Sequence, residues 1–454
     1  MNFLNKIENF KSNVCLINEN KKYFSYDDIL IKGKNLREKI KSRSLIFVLA
    51  ENNIEFLTAY ISFFKKEIVQ MLLNPKISTT FLNELIETYM PNYIFLPNSR
   101  TNDLKSGEVL NELDNYKIIE LNKSNSYSLN KELALLLGTS GSTGSKKFVR
   151  ISYQNIYHNT RDIVNFLKVD ESHRTITTMP PFYTYGLSVI NTHLFTGASI
   201  LVTNARTIEK TFWKLMMDEK VCSFAGVPYF YEVLNKIKFD KFYLPDLKYF
   251  TQAGGALRKD LIEYFLTYSE KSKKEFVVMY GQTEATARMT YLPYKMLRKK
   301  IGSVGIPITG GKIHLVSDKS KRDKKGEIIY EGKNVSLGYA KNFKDLTKGD
   351  ENKGILKTGD LATFDNDGFY YVMGRKNRFI KIYGHRVNLD EIEEELLSMN
   401  YVCACTGDED YLNVYFAGRQ NKLLLLELLK KILGIKNAKI NIFDQVNIPK
   451  TSSG

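Results

Sequence analysis

The chain has 454 residues, of which 43% are hydrophobic and 26% are charged, and its formal net charge is +16. This length predicts two or three domains, and the composition is typical of globular proteins. Lysine and arginine are scattered through every segment instead of being clustered with aromatic residues, so nucleic-acid binding is not expected. Two explanations of the charge remain: a lysine-rich solvated surface, or attraction of anionic ligands.

The cysteines and the apolar runs predict the compartment. Four cysteines give no disulfide framework in a chain this long and indicate a reducing compartment: Cys15, Cys222, Cys403 and Cys405. The last two flank a single residue, so they are expected to share one face of a strand. A metal site is not expected there, because no histidine accompanies them. The first residues are interrupted by charges and do not resemble a signal peptide, and no apolar run is long enough for a membrane span. We therefore expect a cytoplasmic protein without a membrane span.

The first hundred residues alternate between helical and strand-like patterns. An amphipathic stretch from Tyr26 to Ile40 is followed by an apolar strand, 45–49, a helix, 54–64, and two further strands, 69–73 and 93–96. Short strands separated by helices predict a parallel α/β sheet. No chemistry is visible in this part, which is expected to be scaffold.

A glycine-rich segment follows the next apolar strand, Leu133 to Leu137. Between Gly138 and Lys147, glycines alternate with serine and threonine. Glycines allow backbone N–H groups to approach an anion, hydroxyl groups add donors, and Lys147 adds a positive charge. These features favour a phosphate-binding loop over the alternative, a flexible connector. The spacings of the Walker A loop, the dinucleotide loop and the hydrolase elbow do not occur here.

The segment resembles the signature loop T-S-G-[ST]-T-G-x-P-K-G of the adenylate-forming superfamily, which comprises acyl-CoA synthetases, adenylation domains and luciferases. Lys146 and Phe148 depart from it, where the family has Pro and Gly. The chain matches it at Thr139, Ser140, Gly141, Ser142, Thr143, Gly144 and Lys147. The resemblance implies that these residues bind the phosphates of ATP and that Lys147 takes part in catalysis.

Beyond a helix predicted at 152–167, the segment from Met179 to Leu187 resembles the start of the family's acyl pocket, although an aromatic core corner would look similar. Tyr183 stands where amino-acid-activating domains have an aspartate and many acyl-CoA synthetases have a histidine. A neutral phenol does not compensate a buried ammonium group, so we expect a fatty, aryl or hydroxy acid. The resemblance implies a pocket formed by Tyr183, Tyr185, Gly226 and Gln282, beside an adenine-binding turn formed by Gly254, Gly255 and Ala256.

A second strong motif, Tyr-Gly-Gln-Thr-Glu at 280–284, is similar to the family's Y-G-x-T-E. The resemblance implies that Tyr280 and Gly281 contact the adenine and that Thr283 binds the α-phosphate. Glu284 is then the Mg²⁺ ligand, a suitable role because this hard cation prefers oxygen ligands and takes few of them from protein. A solvated surface glutamate is the alternative for Glu284.

Three later segments also match the family. Asp360, in Lys-Thr-Gly-Asp-Leu, is expected to accept hydrogen bonds from the ribose hydroxyls. Arg375, in Gly-Arg-Lys-Asn-Arg, is expected to reach the nucleotide beside a hinge in which Asn377 replaces the family's aspartate. Gly384 and Arg386 resemble the loop that contacts the thiol acceptor.

The resemblance covers nearly the whole chain and implies an α/β protein: a large N-terminal region of stacked sheets, 1–374, a hinge, 375–377, and a small mobile α+β domain, 378–454. It implies an acid–thiol ligase that uses ATP and Mg²⁺ to convert a carboxylic acid into an acyl-adenylate and transfers it to CoA or to the phosphopantetheine of an acyl or peptidyl carrier protein. Amino-acid activation, luciferase-like oxygenation and nucleotide binding without catalysis are the alternatives. The sequence ends at Gly454, where the family continues with an adenylation lysine, so slow adenylation with intact thiol transfer is expected.

Overall fold

The computed structural model describes residues 3–121, 128–139, 146–317, 324–382, 385–408, 411–418, 421–433, 439–445 and 448. Contacts divide the chain into two compact units. The first unit comprises Met1–Lys312 and Tyr330–Leu356, and the second comprises Ile313–Ile329 and Lys357–Ser452.

The α-helices of the described residues are α1 Tyr26–Leu36, α2 Ile54–Lys65, α3 Thr79–Tyr89, α4 Tyr153–Leu167, α5 Thr184–Thr196, α6 Lys210–Asp218, α7 Pro228–Lys236, α8 Lys259–Ser272, α9 Leu389–Ser398 and α10 Lys422–Leu433. Short 3₁₀ helices occur at Phe3–Phe10, Asn98–Asp103, Phe239–Lys241, Thr283–Ala285, Tyr294–Lys299, Phe343–Thr347 and Lys376–Arg378. None of these helices has the length and hydropathy of a membrane span, as far as the described ranges extend.

The strands of the first unit are β1 Val14–Ile17, β2 Tyr23–Ser25, β3 Leu45–Leu49, β4 Val69–Leu73, β5 Tyr93–Pro97, β6 Glu108–Leu113, β7 Tyr116–Glu120, β8 Leu133–Gly138, β9 Phe148–Ser152, β10 Arg174–Ile176, β11 Ser199–Leu201, β12 Ser223–Gly226, β13 Tyr249–Gln252, β14 Glu275–Tyr280, β15 Thr290–Leu292 and β16 Ile306–Pro307. The later strands are β17 Lys312–Val316, β18 Lys325–Glu331, β19 Tyr339–Ala340, β20 Ile355–Phe364, β21 Tyr370–Arg375, β22 Phe379–Ile382, β23 His385–Asn388, β24 Cys403–Asp408, β25 Tyr411–Ala417 and β26 Lys439–Gln445.

An eight-stranded sheet in the first unit has the order β19-β9-β8-β4-β3-β5-β7-β6. Its centre, β8-β4-β3-β5, is parallel, and antiparallel strands flank it on both sides. Every residue of β3 and β4 is buried, as central parallel strands covered on both faces require. The parallel sheet expected from the first hundred residues is confirmed.

A nine-stranded sheet has the order β16-β15-β14-β13-β12-β10-β11-β1-β2 and is parallel from β14 to β1. Helices α1, α2 and α5 share one hydrophobic core with strands of both large sheets. Two buried tyrosines tie these layers together: the hydroxyl of Tyr60 donates to Asn191 Oδ1 at 2.8 Å, and that of Tyr26 donates to the carbonyl of Ala198 at 2.7 Å. The stacked α/β architecture is therefore confirmed.

Three helix boundaries differ from the sequence-based expectation, and α2 ends at Lys65, one residue later than expected. Ser152 ends β9 and caps α4, because its hydroxyl accepts a hydrogen bond from the backbone N–H of Asn155 at 3.0 Å, so the helix begins one residue later. The first helix ends at Leu36, and Ile40 is buried outside it. Burial of an apolar residue does not require it to be helical.

The second unit contains a four-stranded sheet, β17-β18-β20-β21, a hairpin of β22 and β23, and a three-stranded sheet, β24-β25-β26. Helices α9 and α10 supply Leu396 and Leu429 to its hydrophobic core, in which both residues are fully buried. Cys403 and Cys405 lie in β24 as expected, with Cys405 buried. The strand pairs β22–β23 and β24–β25 are antiparallel and the pair β25–β26 is parallel, and together with the helices they give the α+β composition expected for the small domain. The expected bounds of that domain, 378–454, stay a prediction.

Candidate active site

Three neighbouring parallel strands, β12, β13 and β14, end at the same edge of the nine-stranded sheet. Ligands of open α/β sheets commonly bind outside the carboxyl ends of such strands. Gly226 ends the first of them, the Gly254–Ala256 turn follows the second, and the 281–284 segment follows the third. The fold thus gathers the sequence-predicted acyl-pocket and adenine-binding segments at one edge.

Glycine is required at two of these positions. Gly254 has φ of +88°, and a Cβ there would lie 2.6 Å from the Tyr183 hydroxyl oxygen. A Cβ on Gly281 would lie 1.6 Å from the carbonyl oxygen of Ala287. Gln252 Nε2 fixes the turn by donating to the carbonyl of Gly255 at 2.8 Å. Gly254, Gly255 and Ala256 are exposed, so their backbone is accessible to a ligand.

Lys147 and Glu284 meet at Tyr339. The Lys147 ammonium lies 3.5 Å from the centroid of the Tyr339 ring, and the hydroxyl of that ring donates to Glu284 Oε1 at 2.7 Å. Burial, and then the charge of Glu284, raise the pKa of Tyr339, so the phenol stays protonated and donates. Glu284 is half-buried, which differs from the solvated surface glutamate of the alternative interpretation.

The segment before Tyr339 holds the Glu284 turn. The backbone N–H of Ser336 donates to the carbonyl of Glu284 at 2.8 Å. Asn334 Nδ2 donates to the carbonyl of Ala285 at 2.8 Å, and the Thr286 hydroxyl donates back to the carbonyl of Asn334 at 2.7 Å. These bonds hold the backbone of the Glu284 turn in place.

Arg150 fastens the same segment to β9. Its fully buried guanidinium donates to the carbonyls of Leu337 at 2.7 Å, Tyr339 at 3.1 Å and Lys348 at 2.6 Å, and to Glu351 Oε2 at 2.6 Å. Neither Arg150 nor Tyr339 was among the site residues predicted from the sequence. An arginine in the middle of an otherwise apolar strand was the available signal for the first.

The remaining pocket residues lie on α5 and on the 280–288 segment. The Thr184 hydroxyl donates to Thr283 Oγ1 at 2.9 Å. Tyr185 is buried, which raises its pKa to about 12, and its hydroxyl donates to the carbonyl of Thr251 at 2.9 Å. Tyr280 and Gln282 are half-buried beside them. Another residue that sequence analysis missed, Arg288, places its guanidinium carbon 4.0 Å from the centroid of the Tyr185 ring.

The second unit pairs two sequence-predicted nucleotide contacts. Asp360 in β20 and Arg375 in β21 face each other in register, and Arg375 Nε lies 3.5 Å from Asp360 Oδ1. Asp360 is buried, whereas the Arg375 side chain is exposed. Their assigned roles, ribose binding and nucleotide contact, stay predictions.

Several sequence-predicted site residues lie outside the described part of the chain. They are Ser140, Gly141, Ser142, Thr143, Gly144, Gly384, the side chain of Arg386 and the C-terminal match at 449–454. Thr139 and Lys147, which flank the 140–145 segment, follow β8 and precede β9. The phosphate-binding and thiol-acceptor roles stay predictions.

The described residues include a carboxylate that fits a magnesium ion. Among them, no group of three or more His, Cys, Asp or Glu side chains could hold a metal. Glu284 offers a single oxygen-donor carboxylate, oriented by Tyr339. Mg²⁺ commonly takes one or two protein carboxylates and completes its shell with water and phosphate oxygens.

Comparison with known proteins gives consistent matches. The family described as AMP-binding enzyme matches residues 25–340. The oxalate–CoA ligase of Arabidopsis thaliana is 27% identical over 71% of this chain, and the chain spans only 65% of that relative's length. The probable 4-coumarate–CoA ligase 1 of Dictyostelium discoideum is 26% identical, over 91% of this chain and 84% of the relative. The solved Bacillus subtilis o-succinylbenzoate–CoA synthetase with ATP and magnesium has a TM-score of 0.80 at 20% identity, covering 100% of this chain and 97% of that one.

Proposed function

Because this chain belongs to the AMP-binding enzyme family, we propose that it activates a carboxylic acid with ATP as an acyl-adenylate and then transfers the acyl group to a thiol. The observation that carries the proposal is the convergence of Lys147 and Glu284 on Tyr339, at the edge where the acyl-pocket and adenine-binding segments meet. One cation and one carboxylate held close together suit a polyphosphate and its metal ion.

In the first half-reaction, a carboxylate oxygen of the acid attacks the α-phosphorus of ATP. The bond from that phosphorus to the bridging oxygen breaks, and pyrophosphate leaves with the electron pair. We assign Thr283 and Lys147 to the phosphate oxygens and Tyr280 to the adenine. Glu284 would hold Mg²⁺, which neutralises charge on the phosphates. The protein then contributes mainly positioning and charge stabilisation.

In the second half-reaction, a thiolate sulfur attacks the acyl carbonyl carbon, a thioester forms, and AMP leaves. Relatives named as CoA ligases support CoA as the acceptor, and a phosphopantetheinyl carrier protein presents the same thiol group. The Gly384–Arg386 segment is assigned to this acceptor, with a swivel at 375–377 between the two half-reactions.

The acid itself is less defined. The relatives are named for oxalate, 4-coumarate and o-succinylbenzoate, which differ in size and charge. Tyr183, which packs against Gly254, presents a neutral phenol whose pKa burial raises. A buried ammonium beside it would cost several kcal/mol, so acids without a free α-amino group are favoured. Exchange of pyrophosphate into ATP with ordinary L-amino acids, and none with simple acids, would contradict this preference.

The test is acid-dependent exchange of labelled pyrophosphate into ATP, followed by detection of a thioester after addition of CoA. The proposal requires that exchange need both the acid and Mg²⁺, and that AMP be released when CoA is added. ATP binding without exchange for any acid would indicate a nucleotide-binding protein without adenylation activity. Exchange without a CoA thioester would favour a carrier protein as the acceptor.

A further inference from the structure

Helix α3 carries a buried tyrosine whose hydroxyl binds two backbone carbonyls. Leu82, Leu85 and Tyr89 form the buried face of this helix, and Tyr89 is fully buried. The single proton of the Tyr89 hydroxyl is shared between the carbonyl of Lys146, at 2.6 Å, and that of Ala340, at 2.8 Å. Burial raises the pKa of this phenol, so it stays protonated and donates. A phenylalanine would fill the same space without burying a polar atom, so the hydroxyl indicates a role beyond packing.

The two carbonyls lie beside the two residues that meet at the candidate phosphate site. Lys146 directly precedes Lys147 in the chain. Ala340 directly follows Tyr339, whose ring centroid lies 3.5 Å from the Lys147 ammonium. A carbonyl belongs to the same planar peptide group as the N–H and Cα of the next residue. Holding the carbonyl of Lys146 therefore orients the peptide group from which Lys147 begins.

The ring of Tyr89 contacts the chain on the other side of Lys147. Strand β9 begins at Phe148, which pairs with both β8 and β19, so Lys147 lies immediately outside the strand. The rings of Tyr89 and Phe148 pack edge-on, with centroids 5.6 Å apart and an interplanar angle of 86°. Tyr89 thus holds both neighbours of Lys147, the preceding one through its hydroxyl and the following one through its ring.

Helix α3 also binds the side chain of Lys146. The Lys146 ammonium lies 2.9 Å from Glu84 Oε2, and both side chains are partly exposed. Such an exposed pair contributes little to stability, but it draws the first of two adjacent lysines toward the helix. The ammonium of Lys147 lies on the Tyr339 ring instead. The two adjacent cations are therefore directed to different partners.

Lys146 and Phe148 are also the positions at which this segment departs from the family pattern, which has Pro and Gly there. Proline fixes its own φ, whereas lysine leaves that angle free. In this chain, both departing residues contact α3 through Tyr89. The helix can therefore supply a backbone restraint that lysine itself lacks.

We propose that Tyr89 is a positioning residue that directs Lys147 toward the phosphates of ATP. It acts through the peptide group of Lys146 and the ring of Phe148, and its full burial keeps it from contacting the nucleotide itself. This proposal rests on the acyl-activating function proposed above, in which Lys147 binds phosphate oxygens.

The test measures the binding of labelled ATP and of labelled adenosine by equilibrium dialysis, which does not depend on catalysis. Tyr89→Phe keeps the ring and removes the hydroxyl, so the Kd for ATP should rise about 10-fold, a loss within the range that small misplacements cause. Adenosine, which has no phosphate, should bind as it does to the wild type. Equal affinities of the two proteins for ATP, or equal losses for ATP and adenosine, would overturn the proposal.

Tyr26→Phe is the matched control. Tyr26 is also fully buried in the first unit, and its hydroxyl donates to the backbone carbonyl of Ala198 at 2.7 Å. Removing that hydroxyl should leave the affinity for ATP unchanged. A loss of ATP affinity as large as in Tyr89→Phe would indicate general destabilisation and would contradict the positioning role.

A double-mutant cycle shows whether Tyr89 acts through Lys147. Lys147→Met should weaken ATP binding about 10-fold or more, because a charged hydrogen-bond donor is lost. In that background, Tyr89→Phe should add less than about a twofold loss, because no ammonium remains to be directed. The same loss in both backgrounds would refute the assignment. Tyr89→Leu removes the ring as well and should weaken ATP binding more than Tyr89→Phe does; if Tyr89→Leu does not fold, Tyr89→Phe still decides.

Pyrophosphate exchange separates this inference from the proposed function. Weaker ATP binding by Tyr89→Phe, together with no exchange by the wild type for any acid, would support the positioning role while refuting the adenylation activity. Exchange by the wild type, together with the same ATP affinity in both proteins, would do the reverse.

Discussion

Tyr339 connects a cation and a carboxylate without itself changing charge. The face of its ring attracts Lys147, and its hydroxyl binds Glu284. The tyrosine thus contacts both charged groups, one through its ring and the other through its hydroxyl. In the proposed reaction, the lysine serves the phosphate oxygens and the carboxylate serves the metal ion.

The hydroxyl of Tyr339 can be tested by itself. Tyr339→Phe keeps the ring under Lys147 but removes the donor to Glu284, so the Mg²⁺ concentration for half-maximal exchange should rise about 10-fold, as for other residues that orient metal ligands. Tyr264→Phe is the matched control, because the Tyr264 hydroxyl binds Asp240 on the surface. Identical Mg²⁺ titrations for Tyr339→Phe and wild type would exclude the orienting role.

Glu284→Gln should lower exchange at limiting Mg²⁺ by about 10²-fold, because a neutral amide is a poorer ligand for a hard cation. The fold should be preserved, since the amide oxygen can still accept from Tyr339. The control is Glu270→Gln, which removes an exposed partner of Arg298. Unchanged turnover at limiting Mg²⁺ would remove Glu284 from the metal site.

At the scale of elements, β19 is a short strand, and Arg150 donates many of the hydrogen bonds that hold it in place. Replacing Arg150 by Met leaves several buried carbonyls without donors, so the free energy of unfolding should fall by about 3 kcal/mol or more. Glu351→Gln should cost at most about 1 kcal/mol, because Glu351 is 49% exposed. Urea denaturation measures both values. Similar small losses in the two variants would show that the carbonyl contacts contribute little.

His193 on helix α5 makes a pH-dependent contribution to the free energy of unfolding. Its pKa falls from the ordinary 6.5 to about 4 on burial, so the unfolded state binds more protons between these values. The stabilisation is complete above about pH 6.5 and is lost as the pH falls towards 4, by about 1–3 kcal/mol. In His193→Gln this part of the pH dependence should be missing from denaturant titrations. Parallel stability curves for the two proteins would contradict it.

The sequence predicted those elements whose signal is local. Strands β3 and β4 are uninterrupted apolar runs, and the 280–284 motif combines strand and turn within a few residues. Arg150 and Tyr339 gave no comparable signal, since their partners lie far along the chain: the Arg150 contact to Tyr339 spans 189 residues, and the Tyr339 contact to Glu284 spans 55. Arg288 was missed for the same reason, because only the fold shows that its side chain is buried beside Tyr185.

At the scale of the whole molecule, the charge of +16 has a testable consequence. If the surface potential attracts anionic ligands, raising NaCl from about 20 to about 200 mM should weaken ATP binding at least about threefold, because the Debye length shortens. Adenosine, which is uncharged, is the control ligand and should bind equally at both salt concentrations. A salt effect of the same size on adenosine would indicate a general change in the protein.

The placement of β19 also bears on how the protein is made. During synthesis, all strands of the eight-stranded sheet except β19 leave the ribosome well before residues 337–351. The rest of the sheet can therefore pair before the acceptors of the Arg150 guanidinium have been synthesised. Nascent chains that end before this segment carry an uncompensated charge inside a partly formed sheet. Such intermediates expose apolar surface and favour chaperone binding. Completion of this sheet is therefore expected only after the last stretch of the first unit has been synthesised.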